Sequence, residues 1–361
     1  MFPAEGTVRP ARGLATFMNY KSKSLNVMHP VIGRLQQAVI TLFAAITLGF
    51  VLIHQLPSGP WQILTARYTP EQLNDMGPEQ IRRISERLIG FNASEPLLVQ
   101  YVEYWQNIFQ LNFGTSVIYN DGVFAVLAPA VPWTVLISSL AMVGNVSLGV
   151  TLGAYMAYRE GSRFDIGATF LSVLASAIPY YVLAILLLFF VGYQTPLFPS
   201  GGRFAEGVSA GFNLEFMLSV IHHAALPVIS LMFTSFAALG LRAHSIRILG
   251  SDYIRVARLR GLSERRIVFH YVLRNSILPY YTGFVLGLVG LLGGSIITEQ
   301  IFQYIGLGWY TFKAAAGGDI PMVLGTFAFF TFATIIMLVF VDLTYSFVDP
   351  RAEGVGSSES F

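Results

Sequence analysis

The chain has 361 residues, of which 54% are hydrophobic and only 12% are charged, and its mean hydropathy is +0.60. One water-soluble core cannot bury so much apolar surface, so the composition indicates an integral membrane protein. The net charge of +2 gives no sign of a nucleic-acid partner, and the lack of cysteine excludes disulfides, thiolate metal sites and a cysteine nucleophile.

Six apolar stretches are long enough to cross a bilayer, which takes about 20 helical residues. The predicted spans lie at residues 36–56, 131–157, 166–192, 224–241, 277–298 and 320–347. Basic residues precede the first span and cluster in the connections that this topology places inside, so the positive-inside rule puts both termini in the cytoplasm. We therefore expect an all-α integral membrane fold with six transmembrane helices.

The spans divide the chain into five regions. We expect a cytoplasmic tail at 1–33, a first transmembrane helix at 34–56, an extracytoplasmic segment at 57–130, a five-helix core at 131–348 with a cytoplasmic loop at 242–276, and a cytoplasmic tail at 349–361. No small-residue cleavage site follows the apolar stretch of the first span, so we expect that span to be a retained anchor.

The 57–130 segment carries two helix-start signals, Thr69-Pro70-Glu71 and Ser94-Glu95-Pro96, each with a capping residue and an early proline. They predict two amphipathic helices. The expected apolar faces are Ile81, Ile84 and Leu88 in the first helix, and Leu97, Tyr101, Trp105, Ile108 and Phe109 in the second. Two interpretations remain open: helices lying at the membrane interface, or a platform for a substrate-delivery protein.

Small residues form stripes on two predicted spans. Asn145, Gly149 and Gly153 share a face of the second span, and Gly283, Gly287, Gly290 and Gly294 share a face of the fifth. Such stripes allow close helix packing. The functional alternative is a pore wall, for which the candidates are Asn145, Gly287, Gly290 and Gly294.

Other polar residues lie near the predicted span ends. His54 ends the first span, His222 and His223 begin the fourth, and Glu299 and Asp342 sit near the ends of later spans. Their positions favour solvated anchors over a proton relay. Neither a zinc-binding H-E-x-x-H pattern nor a defensible serine–histidine triad is present, so we expect no catalytic and no metal site.

The most informative segment is the loop at residues 250–266, with the sequence GSDYIRVARLRGLSERR. Ser251 or Asp252 can cap a short helix, Gly261 suits the left-handed residue that closes it, and Ser263 can begin a second helix. The segment therefore predicts a charged helix, a glycine break and another helix between two spans.

A helix pair of this kind is what a docking element requires. We expect Ile254, Ala257 and Leu259 to be exposed, so that they can enter a groove on a partner. The alternative is an ordinary basic loop that follows the positive-inside rule.

The loop from Asp252 to Gly261, continuing through residues 274–279 (RNSILP), resembles the EAA signature loop of binding-protein-dependent ABC importer permeases. It is most similar to the dipeptide and oligopeptide branch. The similarity covers all but the first thirty or so residues and includes 56–60 (LPSGP), 161–165 (GSRFD), 178–179 (IP), 197–202 (LFPSGG), 299–302 (EQIF), 306–308 (GLG) and 349–351 (DPR). The chain departs from the strict Glu-Ala-Ala pattern, because Arg255-Val256-Ala257 keeps only the last alanine.

The resemblance implies that this loop forms a coupling helix seated in a cleft of a separate ATPase subunit. The residues it assigns to coupling are Asp252, Arg255, Ala257, Arg258 and Gly261. A bulky charge at Ala257 is then expected to uncouple ATP hydrolysis from uptake.

The resemblance further implies a type I ABC importer permease fold in the cytoplasmic membrane of a prokaryote. The expected function is a pore-forming subunit that moves di- and oligopeptides by alternating access, with oligosaccharides or nickel complexes as alternative cargo. The implied partners are a second homologous permease, one or two ABC ATPase subunits and an extracytoplasmic substrate-binding protein, besides membrane lipid. No G-x-x-x-x-G-K-[ST] loop occurs, so we expect no cofactor in this chain, with ATP and Mg on the ATPase. A passive channel and an intramembrane enzyme are the competing classes.

Overall fold

The structure is a computed structural model that describes residues 36–55, 61–65, 67–195, 197–233, 237–276 and 296–348. These residues form helices and connections without a β-strand, and their one isolated β-bridge joins Thr115 and Gly122. The predicted all-α class is confirmed for this part of the chain.

Four helices are long and apolar enough to cross a membrane, at Gln36–His54, Val123–Tyr158, Leu214–Met232 and Ile320–Met337. A bent helix pair, Arg163–Ala177 with Tyr180–Gln194, gives up to a fifth span. Most of the predicted span at 277–298 lies outside the described residues. The total of six therefore stays a prediction, while a multi-pass membrane protein is established.

The helices are numbered in chain order. They are α1 (Gln36–His54), α2 (Trp61–Thr65), α3 (Pro70–Asp75), α4 (Pro78–Ile89), α5 (Leu97–Phe109), α6 (Val123–Leu127), α7 (Val131–Tyr158), α8 (Arg163–Ala177), α9 (Tyr180–Leu187), α10 (Leu214–Phe233), α11 (Ala237–Leu249), α12 (Asp252–Leu259), α13 (Glu264–Arg266), α14 (296–301), α15 (Leu307–Gly317) and α16 (Ile320–Val348). A 3-10 turn joins α6 to α7, and π-helical turns extend α9 to Gln194 and α13 to Val272.

The predicted third span, 166–192, is not one straight helix. Helices α8 and α9 meet at an angle of 98°. Pro179 causes the bend, because it has no N–H to donate and forces the preceding Ile178 into an extended conformation, with φ −87° and ψ 123°.

The fourth span begins earlier than predicted, since α10 starts at Leu214 rather than at residue 224. Asn213 caps it: its side-chain oxygen accepts a hydrogen bond of 2.8 Å from the backbone N–H of Phe216. His222 and His223 consequently lie within α10 and not at its start.

The main hydrophobic core joins α1, the 57–130 segment and the beginning of α16. The first helix predicted for that segment is broken into α3 and α4 at Gly77-Pro78. In α4 the buried face includes Leu88, with Arg82 and Arg83 exposed.

The predicted apolar face of α5 is correct in part: Ile108 is buried, and Tyr101 and Trp105 pack against the core. Gln100, Tyr104 and Ile108 form its buried side, while Leu97 and Phe109 are exposed. The polar Gln100 is buried because it has specific partners, namely His54 of α1 and two backbone carbonyls.

Specific polar contacts fix the 57–130 segment to the first and last described spans. The hydroxyls of Thr47 on α1 and Tyr101 on α5 lie 2.7 Å apart. Buried Asp319 accepts hydrogen bonds from the Ser116 hydroxyl, from the Ile118 N–H at 3.0 Å and from the Met322 N–H at 3.2 Å. The last of these caps α16, so one carboxylate joins the segment to that helix.

The close packing of α16 against this segment can be tested with two helical glycines. A Cβ added at Gly325 of α16 would lie 2.3 Å from a methyl carbon of Val123, whereas one added at Gly167 of α8 would have no neighbour within 4 Å. We expect Gly325→Ala to destabilise the protein by about 1–3 kcal/mol through overpacking. Gly167→Ala should be neutral or stabilising by up to about 1 kcal/mol, because alanine favours the helix. Thermal unfolding in one detergent measures both, and equal midpoints for the two variants would contradict the packing described.

Candidate functional site

The basic loop (residues 250–266) has the predicted helix, break and helix. Helix α12 begins at Asp252, although Ser251 at the capping position does not cap it with its side chain. The Ser251 hydroxyl instead donates to the Ile248 carbonyl at 2.6 Å, which connects the end of α11 to the start of α12.

The break in the basic loop has two local causes. Gly261 adopts the left-handed conformation, with φ +74°, and this ends α12. Arg258 then forms an ion pair across the break with Glu264, with 2.9 Å between Nε and Oε1. Both side chains are about half exposed, so the pair adds little stability, but it holds the two helices in one orientation.

The structure corrects the exposure predicted for α12. Ile254 is 0% exposed and Ala257 is 4% exposed, and together with Ile267 and Val272 they form a small core of their own. Residues 254 and 257 are three positions apart on a helix, so they point to the same side and pack together. Only Leu259, at 83% exposure, is as exposed as predicted.

The outward surface of α12 is an apolar ridge formed by Tyr253, Val256 and Leu259. The same loop carries five exposed arginines, Arg255, Arg258, Arg260, Arg265 and Arg266, of which Arg258 is paired with Glu264. The arrangement suits a groove with an apolar floor and an acidic rim.

The candidate pore residues are not brought to the basic loop. Asn145 is half-buried, and its amide donates to the carbonyl of Met232 in α10 at 3.0 Å. Gly149 and Gly153 are buried in α7, which packs most extensively against α11 among the described helices. This supports the packing interpretation of the α7 stripe. Gly287, Gly290 and Gly294, with Gly283, lie outside the described residues.

Glu299 is not a solvated anchor. It is buried, and its carboxylate accepts hydrogen bonds from the Thr134 hydroxyl at 2.6 Å and from the Trp309 N–H at 2.9 Å. It therefore joins α7 and α14 to the first turn of α15. The only signal in the sequence for this role of Glu299 was its place in the EQIF motif, which lies close to the GLG motif at the start of α15.

Sequence analysis also missed an ion pair between Asp165 and Arg242. The two residues are 77 positions apart, and Asp165 appeared only as the last residue of the GSRFD motif. The sequence did contain one signal for Asp165. Ser162 occupies the capping position of α8, and Asp165 follows it by three residues.

These features define a class: a multi-pass helical membrane protein with a small, self-supporting helical loop that presents an apolar ridge and exposed basic residues. Residues 149–354 match the family model described as binding-protein-dependent transport system inner membrane component. The chain belongs to this family.

Two curated relatives match nearly the whole chain. The oligopeptide transport system permease protein AppB of Bacillus subtilis (strain 168) is 29% identical over 327 residues, covering 90% of this chain and 98% of AppB. The dipeptide transport system permease protein DppB of Lactococcus lactis subsp. cremoris (strain MG1363) is 30% identical over 326 residues, covering 89% of this chain and 98% of DppB.

A solved structure of the MetNI methionine ABC transporter in an inward-facing conformation is also similar. It matches 63% of this chain and 97% of the solved chain, with 15% identity and a TM-score of 0.47.

The buried core of the basic loop can be tested by proteolysis. Ala257→Asp places a charge in the core with Ile254, so we expect the loop to open and trypsin to cut at its arginines at least about tenfold faster, the equivalent of about 1.4 kcal/mol. Leu259→Asp changes an exposed position and should leave the rate unchanged. Cleavage rates in the purified protein measure this, and equal rates for the two variants would show that Ala257 is not buried.

Proposed function

We propose that the chain is the pore-forming permease subunit of an ATP-driven importer, which moves di- and oligopeptides across the cytoplasmic membrane of a prokaryote. The observation that carries this proposal is the basic loop, which lies within the family match and presents an apolar ridge on a folded support. Relatives named as oligopeptide and dipeptide permeases, matching about nine-tenths of the chain, support peptides as the cargo.

ATP is hydrolysed by a separate ABC ATPase subunit in this proposal, and the chain itself is not catalytic. Tyr253, Val256 and Leu259 enter the apolar cleft of the ATPase, and Asp252 and Arg255 contact its rim. ATP-driven closure then displaces α12.

Three of the coupling candidates act inside the basic loop. Ala257 packs in its core, Arg258 is paired with Glu264, and Gly261 forms the turn. They keep the ridge rigid, so that force applied to α12 moves the connected helices rather than unfolding the loop.

Family membership supports the remaining parts of the proposed transporter. A second homologous permease completes the pore, and an extracytoplasmic binding protein delivers the cargo to the side on which the 57–130 segment lies. Both termini are cytoplasmic in this arrangement. The pore-wall candidates stay Asn145, Gly287, Gly290 and Gly294. Asn145 also joins α7 to α10 through its hydrogen bond to the Met232 carbonyl.

The docking role of the ridge has a direct test. We expect Leu259→Asp to weaken binding of the ATPase subunit at least about tenfold, because a desolvated anchor at the centre of an interface contributes 1.4 kcal/mol or more, by order of magnitude. Co-purification and peptide-stimulated ATP hydrolysis in proteoliposomes measure the effect. Leu98→Asp is the matched control, since Leu98 is an equally exposed leucine, at 80%, outside the loop. Normal assembly and hydrolysis in the Leu259 variant would contradict the proposal.

The cargo is tested by uptake. Proteoliposomes containing the complete transporter and its binding protein should take up labelled di- and oligopeptides in an ATP-dependent manner, and not an oligosaccharide or a nickel complex. ATP-dependent uptake of either alternative without peptide uptake would keep the importer class and replace the cargo. Uptake that needs no ATP would favour a passive channel.

A further inference from the structure

Asp165 of α8 and Arg242 of α11 form a two-point ion pair. Arg242 Nε lies 2.5 Å from Oδ1 of the carboxylate, and Nη2 lies 2.7 Å from Oδ2. The Asp165 side chain is 3% exposed and that of Arg242 is 26% exposed. A paired, shielded guanidinium–carboxylate contact of this kind fixes both distance and orientation.

The same carboxylate holds the turn between α7 and α8. Its Oδ2 accepts a hydrogen bond of 3.0 Å from the Gly161 N–H, and the backbone N–H of Asp165 donates to the Ser162 hydroxyl at 3.2 Å. Asp165 therefore joins the end of α7, the first turn of α8 and the middle of α11.

Helix α8 has few other attachments within the described part of the chain. Asp165 and Ser172 are its only buried residues, and the Ser172 hydroxyl bonds to the carbonyl of Ala168 in the same helix. The rest of α8 is largely exposed, including Phe170 and Leu171. The ion pair is thus the main specific contact that holds α8 to α11.

One face of α11 connects this ion pair to the basic loop. Arg242, Ser245 and Leu249 are spaced i, i+3 and i+7 and lie on one face. The Ser245 hydroxyl lies 3.1 Å from that of Ser276, in the helix that follows the loop, while Ile248 and Leu249 pack against the core of the basic loop. Two helical turns, about 10 Å, separate Arg242 from Leu249.

We propose that the Asp165–Arg242 pair is the mechanical link through which displacement of the basic loop reaches the α7–α8 hairpin. The proposal rests on the proposed function, since it assumes that an ATPase moves α12. In the proposed link, the last turns of α11 move with the loop core. The two-point ion pair transfers that movement to α8 and prevents the exposed α8 from sliding along α11. Both residues are positioning residues and contact neither ATP nor cargo.

The test is the number of peptides transported per ATP hydrolysed, measured with the complete transporter in proteoliposomes. Asp165→Asn removes the charge and keeps the side-chain shape, and we expect the complex to assemble and hydrolyse ATP while this ratio falls at least about fivefold, the lower end of typical coupling effects. Arg242→Lys keeps the charge but cannot form the two-point contact, so an intermediate ratio is expected. It also provides a milder variant should Asp165→Asn assemble poorly.

Two controls separate transmission from simple destabilisation. Ser162→Ala removes the cap of α8 and leaves the ion pair, so at a similar loss of thermal stability it should keep the wild-type ratio. Arg82→Gln breaks the exposed pair with Glu86, away from α11, and should change nothing. The chain has no native cysteine, so a short bifunctional thiol reagent can join the two positions in an Asp165→Cys, Arg242→Cys double variant, and restored coupling on cross-linking would support a mechanical link.

A wild-type ratio in both Asp165→Asn and Arg242→Lys would overturn the link. So would a ratio that falls equally in Ser162→Ala, because the pair would then act only through stability. If the wild-type chain itself neither binds an ATPase nor transports a peptide, the proposed function fails, and that result is distinct from either outcome.

Discussion

The contact of Ile254 and Ala257 with Ile267 and Val272 determines what the basic loop can do. An eight-residue helix is too short to be stable in water by itself, so α12 persists because it packs against the helix that follows it. The packing uses one apolar face and leaves the other, with Val256 and Leu259, outside. The loop is therefore a packed unit with an exposed apolar ridge, and Ile248 and Leu249 at the end of α11 pack against its core.

The chain is unevenly supported along its length. The 57–130 segment, α1 and the start of α16 share the largest hydrophobic core, reinforced by Asp319 and by the Thr47–Tyr101 hydrogen bond. Helix α8, by contrast, is held to α11 chiefly by one ion pair among the described contacts. Rearrangement is least costly where few contacts must be exchanged, so among the described helices α8 is well suited to change position.

The features that sequence analysis predicted correctly depend on local chemistry. Gly261 ends α12 because a left-handed residue is needed there, and apolar stretches cross the bilayer because lipid cannot satisfy backbone groups. The errors arose where tertiary contacts decide. Which side of α12 is buried depends on Ile267. Gln100 is buried in α5 because its amide oxygen accepts a hydrogen bond from His54 and its amide nitrogen donates to two backbone carbonyls. Helical spacing within α12 or α5 identifies neither Ile267 nor the hydrogen-bond partners of Gln100.

Helix α8 shows the same distinction between local and tertiary causes, in its bend and in its ion pair. Pro179 alone accounts for the bend, so treating 166–192 as a straight span overlooked a signal that was present in the sequence. The pairing of Asp165 with Arg242 had no such signal, because contact between residues 77 positions apart depends on how α8 and α11 pack.

The buried carboxylates in the described part of the chain share one arrangement, and it explains why they can be structural. Asp165, Asp319 and Glu299 each accept backbone N–H hydrogen bonds at or next to the first turn of a helix. Unpaired N–H groups and the positive end of the helix dipole stabilise the negative charge there, so burial costs less than it would elsewhere in an apolar interior. Each carboxylate also bonds a second element: α11, the 57–130 segment or α7. A carboxylate bound at the start of a helix can thus hold a neighbouring helix as well. For Asp165 that neighbour is α11, so the contact lies on the proposed route from the basic loop to α8.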